Sequence, residues 1–74
     1  MNPQAINTEV TGTVWKVLVK LGDDVNADQE LVIIESMKME IPALAPCRGV
    51  VVELLVAEGE PVDEGQTLVK VLPT

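Results

Sequence analysis

Two stretches of this chain can be laid over one another without a gap. GTVWKVLVKLGDDVNADQELVIIE (residues 12–35) and GVVVELLVAEGEPVDEGQTLVKVL (residues 49–72) align at a constant offset of 37. Nine of the 24 positions are identical, among them Gly12 with Gly49, Gly22 with Gly59, Val25 with Val62, Gln29 with Gln66 and Leu31 with Leu68. Chance in so valine-rich a chain supplies roughly two or three matches, so the stretches are an internal repeat. The fold is therefore expected to consist of two similar halves related by a pseudo-twofold axis.

The repeat also decides the type of element. Residues 23–41 contain no Gly or Pro and could be drawn as a helix with mixed apolar faces. The matching part of the second copy holds Pro61 and Gly65, which disfavour a helix, and two copies of one unit share one backbone. Each copy then reads as a strand starting at Gly, a turn at LGDD or EGEP, a second turn at NADQ or DEGQ, and a further strand at ELVIIE or TLVKV. Val17 and Val19 alternate with Lys16 and Lys20, as do Leu54 and Val56 with Glu53 and Ala57. Short strands with closely spaced turns predict an all-β barrel or sandwich.

With 74 residues the chain has room for one domain, residues 1–74. Trp15 is its only aromatic residue, so Val, Leu and Ile must fill the core. The net charge of −7, spread along the chain, disfavours nucleic acid and anionic membrane surfaces as partners. The N-terminal MNPQAINTE lacks the basic start and apolar run of a signal peptide, and a cytoplasmic location is expected. Histidine is absent, and the one cysteine, Cys47 in APCRG, reads as a small turn or core residue. Imidazole catalysis, His-ligated metal and an internal disulfide are excluded, and no carboxylate pair at a meaningful spacing supports acid–base chemistry.

Residues 36–48 belong to neither copy and form the junction between them. LVIIES and MEIPAL read as two extended arms, which puts Met37 and Lys38 at a hairpin turn. These are poor turn residues where Asn-Gly or Asp-Gly is usual, and such a departure marks a candidate functional position. By composition alone, Lys38 reads as a solvated lysine, with Glu35 and Glu40 as weakly screening neighbours.

The run ESMKMEIPALAPCRGVVV resembles the biotinyl domain of biotin-dependent carboxylases, whose signature is Glu-(Ala or Ser)-Met-Lys-Met followed by Ala-Pro and Gly-x-Val. The matching residues are Glu35, Ser36, Met37, Lys38 and Met39, then Ala45, Pro46, Gly49 and Val51. The resemblance implies a flattened barrel of two four-stranded antiparallel sheets with pseudo-twofold symmetry. It implies that Lys38 carries biotin, attached by a biotin protein ligase. A biotin carboxylase and a carboxyltransferase would then work on the arm, and the carrier itself would perform no bond chemistry. Met37 and Met39 are expected to offer the ligase apolar contact, with Glu35, Ser36 and Glu40 as further candidate contacts. Lys16, Lys20 and Lys70 are expected on strands, where a ligase would pass them over.

The gapless repeat leaves no space for the thumb loop of some acetyl-CoA carboxylase carriers, and NTEVTG replaces the usual Ala-Pro-Met-Pro-Gly before the first strand. Beginning at Met1 and ending soon after its last strand, the chain resembles free-standing biotin/lipoyl attachment proteins. A lipoyl carrier is the alternative on the same fold, although the Thr-Asp-Lys-Ala or Ser-Val-Lys-Ala turn of lipoyl domains is missing. An unmodified structural adaptor is the alternative of a different class.

Overall fold

The computed structural model describes residues 2–74, and all its regular elements are strands. They are β1 (Gln4–Asn7), β2 (Gly12–Val17), β3 (Asp24–Val25), β4 (Glu30–Ser36), β5 (Met39–Leu44), β6 (Gly49–Leu54), β7 (Pro61–Val62) and β8 (Thr67–Pro73). Two four-stranded antiparallel sheets result, one in the order β1-β8-β6-β3 and the other β5-β4-β2-β7. Adding 37 to the residue numbers of the first sheet's β1 and β3 lands on β5 and β7, and β2 and β4 map likewise onto β6 and β8. The sheets are thus copies of each other, as the repeat requires.

The backbone bonds outside the ladders follow the same offset. Val14 N–H donates to Glu60 O and Val51 N–H to Asp23 O; Gly22 N–H donates to Val51 O and Gly59 N–H to Val14 O. Gln29 and Gln66 are identical because each side-chain oxygen accepts a turn N–H, from Asn26 at 3.0 Å and from Asp63 at 3.1 Å. Asp28, with φ of 67°, fills the left-handed position that Gly65 takes with φ of 88°.

The core is filled by matched pairs: Val14 and Val51, Val19 and Val56, Val25 and Val62, Leu31 and Leu68, Val32 and Val69, Ile34 and Val71. Ile6 and Ala45 complete it. The buried Thr8, which stands at Ala45's place in the other copy, satisfies its hydroxyl by donating to Val10 O at 2.7 Å. Proline falls where it removes no central ladder bond, since Pro42 and Pro61 lie on the edge strands β5 and β7.

The structure corrects one boundary. Ile41–Leu44 of the supposed junction is the counterpart of β1, and Ala45 of Thr8: Ala45 N–H donates to Gln29 O as Thr8 N–H does to Gln66 O. Each structural copy therefore has four strands, and only the hairpin tip lies between them.

Gly12 and Gly49 explain their own identity. A Cβ on Gly12 would collide with the Glu35 carbonyl oxygen and stand 3.0 Å from the Ile34 Cγ2, and one on Gly49 would collide with the Leu72 carbonyl. Because backbone cannot yield as a flexible side chain can, Gly12→Ala and Gly49→Ala are each expected to lower stability by about 1–3 kcal/mol in urea unfolding. A loss within ~0.5 kcal/mol, the range of ordinary surface changes, would contradict this reading of the crossing.

Candidate functional site

The β4–β5 hairpin runs in register from Ile33 opposite Pro42 through Ile34 with Ile41 and Glu35 with Glu40 to Ser36 with Met39. That leaves Met37 and Lys38 as a two-residue turn. Both have positive φ, 52° and 67°, as a type I′ turn demands because its twist matches that of the strands. Neither is Gly or Asn, so each left-handed residue costs about 1–2 kcal/mol. The ladder below holds them there, β4 being an inner strand bonded on both sides.

Of the expected site residues, all but Ser36 are exposed. Met37 is 93% exposed and Met39 64%, and Lys38 is exposed between them. Two thioether chains held mostly in solvent are available to a partner. Glu35 and Glu40 stand directly opposite each other, and Glu35 also faces Thr13 on β2. Among the described residues the ion pair is Lys70 with Glu53 at 3.8 Å, so neither glutamate closes on Lys38.

Ser36 has a second task. Its hydroxyl donates to Thr11 O at 2.9 Å, and the Thr11 hydroxyl oxygen accepts the Glu64 N–H at 3.0 Å. The top of the hairpin, at the pair just below the turn, is thereby tied to the segment before β2 and onward to a turn of the second copy. This gives Ser36 a place inside the fold beside the recognition role expected of it. Thr11 carries no signal in the sequence, since it lies outside both the motif and the matched stretches, and its contacts join residues far apart in sequence.

The other lysines are presented differently. Lys16 is exposed on β2, and its ammonium lies 5.6 Å from the centre of the Trp15 ring. Lys70 is half-buried on β8 and paired with Glu53. Lys20 does not lie on a strand as expected. β2 ends at Val17, and Lys20 opens a turn in which its N–H donates to Asp23 Oδ2 at 2.9 Å and its carbonyl accepts the Asp23 N–H. Cys47 is a half-buried free thiol in the bend before β6.

Fold and site together define a small symmetric β-barrel that carries one lysine on a strained, protruding hairpin. A family profile described as "Biotin-requiring enzyme" matches residues 1–71, and the chain belongs to this biotin/lipoyl family. It is 45% identical over 65 residues to the biotin/lipoyl attachment protein of Bacillus subtilis, covering 88% of this chain and 89% of that one. It is 40% identical over 70 residues to the pyruvate carboxylase of the same organism, of which it spans only 6%. The crystal structure of Kluyveromyces lactis urea carboxylase superimposes with a TM-score of 0.91 at 30% identity, covering 97% of this chain and 6% of that one.

Two substitutions test the hairpin. Met37→Asn, a residue at ease in the left-handed region, is expected to raise stability by about 0.5–1 kcal/mol; a destabilisation would refute the strain. Ser36→Ala is expected to lower stability by about 0.5–1 kcal/mol in the same assay, whereas no change would show that the bond to Thr11 contributes nothing.

Proposed function

We propose that this chain is a biotin carrier: a biotin protein ligase joins the Lys38 Nζ to the carboxyl group of biotin, and the tethered cofactor moves a carboxyl group between a biotin carboxylase and a carboxyltransferase. The observation that carries the proposal is the placement of Lys38 at the summit of a two-residue turn, flanked by Met37 and Met39 in solvent. Family membership and the likeness to a biotin/lipoyl attachment protein support the carrier role. The likeness to short segments of pyruvate carboxylase and urea carboxylase supports carboxylase partners.

The residues present suit the group. Biotin bound through an amide supplies the carboxyl-accepting ureido ring, and the protein's part is to hold the attachment point and keep it reachable. A backbone confined to the left-handed region at both turn residues fixes the direction in which the Lys38 Cα–Cβ bond leaves the barrel. The exposed stem then sweeps a limited volume, which gives the cofactor a high effective concentration at any active site that engages the tip. Met37 and Met39 supply apolar contact to the ligase, and Glu35 and Glu40 complement basic groups around its active site.

Co-expression with a biotin ligase tests the proposal. The intact mass is expected to rise by one biotinyl group, peptide mapping to locate it on Lys38, and Lys38→Arg to stay unmodified. No mass gain, a gain retained in Lys38→Arg, or a lipoyl gain with a lipoyl ligase in place of the biotinyl one would each overturn it. Replacing Met37 and Met39 together by Ala is expected to slow biotinylation by about tenfold or more, given the loss of two apolar side chains from an interface. An unchanged rate would remove them from ligase recognition.

A further inference from the structure

The repeat provides an internal comparison. What the barrel requires recurs at the offset of 37, as in the core pairs Val14 with Val51, Leu31 with Leu68 and Val32 with Val69. An exposed side chain that one copy holds alone, with no bond tying it into the fold, is a candidate for binding. The outer face of the β5-β4-β2-β7 sheet departs from its counterpart at successive positions: Trp15 stands where the other copy has Val52, Lys16 where it has Glu53, Ile33 where it has Lys70, and Glu35 where it has Leu72.

Several of these departures are unfavourable for an isolated barrel. Trp15 is the bulged residue between Val14 and Lys16 of β2, and it is 41% exposed although Val52 suffices at the same bulge of β6. In the other sheet Glu53 and Lys70 are in register and form an ion pair. Here the same two places hold Lys16, which lies over the Trp15 ring, and Ile33, with the edge residue Pro42 next in line, so the cross-strand ion pair is lost and Ile33 adds apolar surface. Nearer the tip, Glu35 and Glu40 oppose each other across the strands, an arrangement of like charges that destabilises a sheet.

We propose that this face, centred on Trp15 and Ile33 and bordered toward the tip by Glu35 and Glu40, is the docking surface for the biotin carboxylase that acts on the loaded carrier. That partner meets it with an apolar recess over Trp15 and basic side chains over the two carboxylates. Continuity fixes the kind of occupant: Glu35 and Glu40 are the residues next to Ser36 and Met39, so an active site that receives the Lys38 arm sets its rim against this face. Charge fixes which form it prefers. Acylation removes the Lys38 ammonium, and the group Glu35, Glu40 and Lys38 passes from −1 to −2, a better match to a basic rim. An exposed Trp in a mixed apolar and charged setting has the chemistry of a binding anchor.

This inference rests on biotin attachment at Lys38, so the mass of the loaded chain is verified first and a failure of loading is seen separately. The probe is the biotin carboxylase of the same organism, assayed for bicarbonate-dependent ATP hydrolysis with loaded carrier or with free biotin. The variants Trp15→Val and Ile33→Lys each introduce the residue that the other copy carries at the equivalent place, and their thermal unfolding is checked beside the parent. The expected result is a KM for loaded carrier raised about fivefold or more with kcat within twofold, as loss of an interface anchor produces. The KM of the parent is also expected to rise with salt. A KM within twofold of the parent in both variants would overturn the docking surface. As competitors of loaded carrier, unloaded Lys38→Gln chains are expected to inhibit more strongly than Lys38→Arg chains; equal inhibition would overturn the preference for the acylated charge state.

Discussion

Neither half of this chain completes a sheet by itself, because each sheet takes its two inner strands from one half and both edge strands from the other. β3 of the first half closes onto β6 of the second, and β7 of the second onto β2 of the first. These added strands are only two residues long, yet they bring Val25 and Val62 into the core. Burial of the apolar faces therefore comes from interlocking and not from stacking two finished halves. In a chain with one aromatic residue, that exchange lets Val, Leu and Ile make a single continuous core.

The hairpin inherits its rigidity from this arrangement. β4 is an inner strand, paired with β2 on one side and β5 on the other, so the arm leading to the tip is among the best-anchored segments. Gly12 lets β2 pass close under the Glu35 carbonyl, and Ser36 reaches the Thr11 carbonyl from the same place. Two left-handed side-chain-bearing residues can persist at the summit because so much below them is fixed. The exposed Lys38 side chain can therefore move while its backbone root does not.

Much of this was legible in the sequence, for reasons tied to particular residues. The core-facing pairs are restricted by volume and burial, and the turn residues Gly22, Gly59, Gln29 and Gln66 by backbone geometry and N–H capping, so these positions coincide in both copies. The motif around Lys38 and its place at a turn were equally readable. The kinship of β1 and β5 was not, because edge strands place few side chains inside: Ile6 answers to Ala43 and Thr8 to Ala45, pairs with no identity. Alternation that runs on past Val17 predicts a strand through Lys20, and the turn bonds to Asp23 that end it leave no pattern in composition. The Ser36 to Thr11 contact spans two segments that only the fold brings together.

In the proposed carrier role, turn geometry, and not exposure or the company of methionines alone, selects Lys38 for biotin. Moving the lysine by one place tests this most directly, with biotin incorporation measured in the double variants Met37→Lys/Lys38→Met and Lys38→Met/Met39→Lys, which keep the composition of the tip. Displaced lysines at positions 37 and 39 are predicted to be modified at least about a hundredfold more slowly than Lys38, since misplacement of a reacting group costs that much. Modification of either at a rate close to that of the parent would show that the turn geometry does not select the lysine.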